Sequence, residues 1–399
     1  MTNAFLTERF QRDRRLLVVL AAGSLAVMPG AVIAPVLPEI VQQLQLDKAL
    51  AGYLVSAHYL TVALCSPLLG ILADRVGRVP ILVASLCLFA LFGVAGTWTT
   101  SFLPLLATRG LLGAATGGVA AASLGILAQM YPDKQLRSQA IAYATSTLTL
   151  ANIAYPLLAG LLGSNSWQVA FYLYGMGLPI ALMVALTLKE TGSVAADRSM
   201  PPLWSHLCHP HVLRLLLSIS LTAATAYAAI IYLPLHLKAT LQTTTLTNGL
   251  VLASQAIGAA ISSAVVANRL SRRFGTVGAI AIGLGCVALA AAAIPQLQHL
   301  SWFFPIAMLF GVGLGIAMPN HYAALANLAP ADLQASILAS ATGMNFLGQF
   351  LSPFLFGWLL YQSSVGSGSE VTIVFYAAAS VAAAIGLGWI RGKDEVRSH

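Results

Sequence analysis

Between two long apolar runs stands Gly70-Ile-Leu-Ala-Asp74-Arg75-Val-Gly77-Arg78, and how this stretch is read decides the fold. An acid and two arginines are compressed into a turn, where they can pair with one another and with helix ends, while Gly77 permits a sharp reversal. The apolar runs on either side each hold about 20 residues, the length that spans a bilayer core about 30 Å thick. The stretch reads as a tight turn joining two membrane-crossing helices.

The rest of the chain agrees. Of 399 residues 58% are hydrophobic and 8% charged, with a mean hydropathy of +0.83. A soluble domain carries roughly a quarter charged residues, so this chain cannot cover itself with a hydrated surface. Soluble enzyme, nucleic-acid binder and disordered protein are excluded. Apolar windows predict spans near 16–38, 51–73, 79–99, 103–130, 138–162, 168–188, 213–235, 245–268, 277–294, 302–328, 333–361 and 372–390. They lack the period-two alternation of a membrane β-barrel. The expected fold is an all-α membrane protein of twelve transmembrane helices.

The net charge of +8 reports topology rather than a polyanion partner. With the N-terminus inside, cytoplasmic segments hold seventeen of the 20 Lys and Arg residues, the outer loops hold only Lys48 and Lys238, and Arg109 remains within a span. This positive-inside bias places both termini in the cytoplasm. The longest polar break, 189–212, has six spans on each side, dividing the chain into 1–188, a linker, and 213–399. Within it His206, Cys208, His209 and His211 read as a solvated membrane-flanking segment rather than a metal site. No cofactor is called for, and the protein is expected to act as a monomer.

The halves repeat at a nearly constant offset. Leu72-Ala-Asp-Arg-Val-Gly-Arg-Val aligns with Leu270-Ser-Arg-Arg-Phe-Gly-Thr-Val; Gly113 and Gly117 align with Gly311 and Gly315; Gly52, Pro156 and Gly160 align, one position closer, with Gly249, Pro353 and Gly357. Two halves threaded in the same direction imply a pseudo-two-fold axis along the membrane normal, with a cavity between them.

The turn motif resembles the G-x-L-A-D-R-x-G-R signature of the major facilitator superfamily, and span number, central linker and repeat agree with that family along the whole chain. The resemblance implies that Gly70, Asp74, Arg75, Gly77 and Arg78 form a gate that stabilises the outward-facing state by closing the cytoplasmic side. Arg109-Gly-Leu-Leu-Gly113 is similar to the span-4 motif of proton-coupled members, which implies a coupling or binding role for Arg109. Ala154-Tyr155-Pro156-Leu-Leu-Ala159-Gly160 looks like a degraded form of the antiporter motif G-P-x-x-G-G, with Pro156 and Gly160 left to bend the helix. Ser166-Trp167-Gln-Val-Ala-Phe171 resembles a stretch of bacterial drug-efflux members.

A charge inside a span is costly unless it meets water or a partner, so Arg109 is a functional candidate on physical grounds as well. No carboxylate falls near the bilayer midplane, which leaves Glu39, His58, His321 or Asp74 as groups that could titrate. His58 is therefore a second coupling or binding candidate. The cavity candidates are Asn152, Tyr155, Tyr227, Gln255, Asn320, His321, Asn345 and Gln349, polar groups that should face one another or water. With Arg109 they suit a moderately hydrophobic neutral or anionic solute.

No Walker loop and no convergent nucleophile, base and metal ligands are found, so neither an ATP-driven pump nor an enzyme is expected. The expected function is solute export across a bacterial inner membrane by alternating access, with proton antiport. An uptake permease or facilitator and a transport-inactive sensor are the alternatives.

Overall fold

The computed structural model describes residues 13–131, 133–190, 206–330, 333–363 and 370–397. Most of the 189–212 linker, the basic residues Arg9, Arg12 and Arg198, and Asp197 and Asp332 lie outside them. In chain order the helices are α1 (Arg14–Gln43), α2 (Lys48–Val76), α3 (Arg78–Trp98), α4 (Phe102–Met130), α5 (Lys134–Leu162), α6 (Trp167–Thr187) and α7 (Pro210–Leu241). They continue as α8 (Thr245–Ile261), α9 (Ala267–Ala293), α10 (Leu300–Leu328), α11 (Gln334–Ser363) and α12 (Glu370–Arg397). No strand occurs among the described residues. In hydrocarbon this is forced, because an α-helix satisfies its backbone groups within one segment.

Among the described residues, ten helical stretches are long and apolar enough to cross a membrane. That is fewer than the twelve windows of the sequence, for two reasons. The stretch Thr245–Gln296, 52 residues long, contains both predicted spans 8 and 9, and only the backbone of Gly275 (φ 78°) breaks its helical path. The second is α11, rich in Ser, Thr, Asn and Gln, which falls outside the ten. Gly77, the counterpart of Gly275 in the first copy of the motif, also has a positive φ, 118°. Only glycine adopts such a backbone without strain, so both copies turn at the same residue.

The repeat reappears as contact. A Cβ on Gly113 of α4 would strike the carbonyl of His58 in α2, and one on Gly311 of α10 would strike the carbonyl of Gln255 in α8. Gly117 similarly faces the Val62 carbonyl, and Gly315 that of Ala259. His58 and Gln255, like Val62 and Ala259, hold equivalent places in the two halves. Small residues at these crossings let backbones approach closely, which is what holds helices together in lipid.

Between the halves the exchange is reciprocal: Gly52 of α2 lies against Pro353 of α11, while Gly249 of α8 lies against the Pro156 carbonyl of α5. The pairs α2 with α11 and α5 with α8 accordingly form the seam between residues 14–187 and 210–397. Gly311→Ala is expected to lower the unfolding temperature of the detergent-solubilised protein, at a cost of about 1–3 kcal/mol for overpacking. Gly285→Ala, whose Cβ meets nothing within 4 Å, should leave that temperature unchanged or slightly raised.

Candidate functional site

A cavity of about 930 Å³ lies along the seam, walled by α1, α2, α5, α7, α8 and α10. Its polar groups are Tyr59, Thr145, Ser146, Thr149, Asn152, Tyr227, Gln255 and Ser263; no lining residue is charged. On α5 the polar positions Thr145, Thr149 and Asn152 follow helical spacing toward Pro156, so one face of that helix turns to the cavity. Ser263 lies in a π-turn, Ser262–Val266, that continues α8 and re-aims the side chains there.

At the deep wall Tyr59 and Tyr227 meet edge to face, with ring centroids 5.0 Å apart, and Tyr59 stacks on Phe346 at 5.6 Å. The Tyr227 hydroxyl donates to the Val55 carbonyl at 3.1 Å, tying α7 to α2. Gln255 is 7% exposed, and its Oε1 has no hydrogen-bond partner. An unpaired buried amide oxygen costs about 1–3 kcal/mol.

The two ends of the bundle differ. At one end Lys238 Nζ of α7 donates to Glu39 Oε1 of α1 at 3.3 Å. Asn248 Nδ2 donates to the Pro35 carbonyl at 3.3 Å, and Thr245 Oγ1 to the Gly160 carbonyl at 2.8 Å. Gly160 lies in the last turn of α5, whose carbonyls lack helical partners, so the α8 threonine satisfies one of them. These bonds close the seam.

At the other end Asp74 Oδ1 accepts from Arg78 Nη2 at 2.7 Å and Nε at 3.1 Å, and Arg78 Nη1 donates to the Gly125 carbonyl of α4. The carboxylate of Glu190 accepts from the backbone N–H of Arg78 at 3.2 Å and of Val79 at 2.9 Å, capping α3. Arg75 is exposed, and Gly70 faces Ala121. The motif's hydrogen bonds among the described residues stay within 74–190, so they do not latch the second half.

Of the residues singled out by sequence, Asn152, Pro156, Tyr227 and Gln255 line the cavity. The expectation of an arginine in the cavity is corrected. Arg109 is fully buried beside it, with Nη1 donating to the Tyr174 hydroxyl at 3.1 Å, Nη2 to the Gly93 carbonyl at 3.3 Å, and its guanidinium 4.5 Å from the Phe171 ring centre. His58 is 2% exposed behind Tyr59, the two rings 3.9 Å apart.

Tyr155 leaves the cavity to bond Ser24 across α1 and α5 at 2.9 Å. Asn320 folds back onto the Ile316 carbonyl at 2.8 Å. His321 lies between the Ala317 carbonyl at 2.8 Å and Ser218 Oγ at 2.6 Å, and Ser218 also accepts from Trp389 Nε1 at 3.1 Å. Gln349 donates to Asn345 at 2.6 Å, and Asn345 to the Tyr322 hydroxyl at 3.4 Å. Polarity marked all of these residues, but hydrogen bonds within and between helices engage them away from the cavity.

Tyr59, Thr145, Ser146, Thr149 and Ser263 escaped the sequence reading; the α5 stripe could have been found from its spacing, whereas nothing in the sequence marks Tyr59. Glu190 escaped too, because its partners are backbone groups far back along the chain, at the start of α3. Arg109→Ala is expected to lower the unfolding temperature and the folded yield, a loss of about 2–5 kcal/mol as for other large buried side chains. A variant that unfolds like the wild type but loses solute-coupled movement would make Arg109 functional instead.

A family model described as Major Facilitator Superfamily matches residues 19–353 and 215–398. The tetracycline resistance protein, class C, of Escherichia coli is 26% identical over 95% of this chain and 94% of its own. The class G protein of Vibrio anguillarum is 28% identical over 89% and 92% respectively. In fold, the chain is similar to a bacterial homologue of the human lysosomal transporter Spinster, solved inward-facing and occupied. The TM-score is 0.81 at 17% identity, covering 94% of this chain and 96% of that one. The chain is therefore a multi-pass membrane protein of a transporter family and not an enzyme: it belongs to the major facilitator superfamily.

Proposed function

We propose that the protein exports a small, moderately hydrophobic, neutral solute across a bacterial inner membrane by alternating access, coupled to proton antiport. The observation that carries this reading is the uncharged cavity on the seam, sealed at the Glu39–Lys238 end and unlatched at the Asp74–Arg78 end. In this reading the stretch Thr245–Gln296 is two spans that meet at Gly275, and α11 is a span, which makes twelve. Both termini are cytoplasmic, and 1–188 and 213–399 are the rocking halves joined by 189–212.

The sealed end then faces outward and the state is open to the cytoplasm. The Asp74 and Arg78 motif, engaged here only with its own half, is the gate that closes that side in the opposite state. With no cation in the cavity, a neutral solute fits better than an anionic one. The Gln255 amide, on the cavity wall, favours a solute that forms a hydrogen bond. The likeness to the two tetracycline resistance proteins along nearly the whole chain supports export over uptake. With no acid in the cavity, the titrating group is to be sought at the gates, where Glu39 and Asp74 stand, or at His58 behind the wall.

Inverted vesicles containing the protein, with an acidified lumen, should release protons on addition of a transported compound from a mixed panel of drugs and organic acids. Gln255→Leu should weaken the apparent affinity about three- to tenfold, the worth of one hydrogen bond. Labelled solute that equilibrates with no proton signal would make the protein a facilitator.

A further inference from the structure

Away from the seam, a second cavity of about 420 Å³ opens between α7 and α12. It lies at the unlatched end: α7 begins at Pro210, and Lys238, about 40 Å further along at 1.5 Å per residue, is at the sealed end. One wall carries Leu213, Leu217 and Leu221, spaced four residues apart and 44%, 49% and 38% exposed; Ile385 of α12 forms the other.

Arg214 stands at the head of this groove. Its guanidinium lies 4.4 Å from the Trp389 ring centre and donates to the Gly388 carbonyl. The ion pairs among the described residues, Arg78 with Asp74 and Lys238 with Glu39, do not include it. Neither the carbonyl nor the ring carries a formal negative charge, so the guanidinium remains open to an anion. Trp389 Nε1 is already used by Ser218 at 3.1 Å, which fixes the ring as a platform for the cation. A tryptophan and an arginine at a helix end belong to the level of lipid headgroups.

We propose that this groove binds one anionic phospholipid, with the phosphate at Arg214 and an acyl chain along Leu213, Leu217, Leu221 and Ile385. The argument is one of complementarity: a cation without an acidic partner among the described residues heads an apolar trough. A free phosphate gains nothing from the leucines, and a zwitterionic lipid gains less from the charge. The bound lipid bridges α7 and α12, and under the orientation proposed above it comes from the cytoplasmic leaflet.

Native mass spectrometry of the detergent-solubilised full chain tests this with dioleoyl phosphatidylglycerol, dioleoyl phosphatidylcholine and glycerol phosphate. One phosphatidylglycerol should be retained at lower concentration than phosphatidylcholine. Arg214→Gln keeps a planar group against Trp389 and a donor for Gly388 but removes the charge. It should cut the preference about fivefold, the worth of one basic residue beside an anionic headgroup. Leu217→Trp fills the trough and should weaken both lipids while Arg214 remains. Equal retention of the two lipids by the wild type would overturn the proposal. So would wild-type binding by both variants, binding of glycerol phosphate as tight as the lipid's, or a dimer occupying the face.

Discussion

A polar group inside hydrocarbon has two remedies, a partner on another helix or a water-filled cavity, and the architecture of this protein is the solution to that constraint. Backbone groups are satisfied within helices, so no strand appears among the described residues. Several side chains that cannot reach water are paired between helices: Ser24 with Tyr155, Ser218 with His321 and Trp389, Arg109 with Tyr174 and the Gly93 carbonyl. Of the buried polar atoms left without a partner among the described residues, Gln255 Oε1 belongs to a residue that lines the cavity, while Thr97, Ser123 and His236 keep theirs within the halves.

The same constraint explains the glycines. Lipid supplies no hydrophobic drive to press helices together, so association relies on close backbone approach. The crossings of α4 on α2 and of α10 on α8 set equivalent glycines of the two halves against equivalent carbonyls. The same close approach recurs at the seam, where Gly52 lies against Pro353 and Gly249 against the Pro156 carbonyl, joined there by one ion pair of partly exposed groups and a few hydrogen bonds to carbonyls. Surface ion pairs are worth about 0–1 kcal/mol, so the sealed end holds by several weak bonds that can be exchanged for others.

Charge is distributed to the same effect. The cavity lining has none, and the acids and bases that engage one another stand at the two ends, Glu39 with Lys238 and Asp74 with Arg78. Ion pairing among the described residues is thus confined to the two ends, while the cavity offers shape and a few hydrogen-bonding groups. Arg214 shows the third use of a cation here, resting on an aromatic ring at the bundle edge.

By itself the sequence determined the solvent, the helical class, the repeat and the turn motif. Hydropathy, the constant offset between the halves and Gly77 are one-dimensional signals: each depends on how many apolar residues follow one another or how far apart two copies lie. It also pointed to Asn152, Tyr227 and Gln255 as cavity groups, since polar residues in apolar helices are few. Only the tertiary structure decided which way each polar side chain faces. Rotation of a helix by a fraction of a turn exchanges a cavity for a neighbouring helix, which is why Arg109 and His321 are buried against partners while Tyr59, Thr145 and Ser263 line the cavity. The Glu39–Lys238 and Glu190–Arg78 contacts were equally invisible in one dimension, because 199 and 112 residues separate the partners and only the packed bundle brings them together.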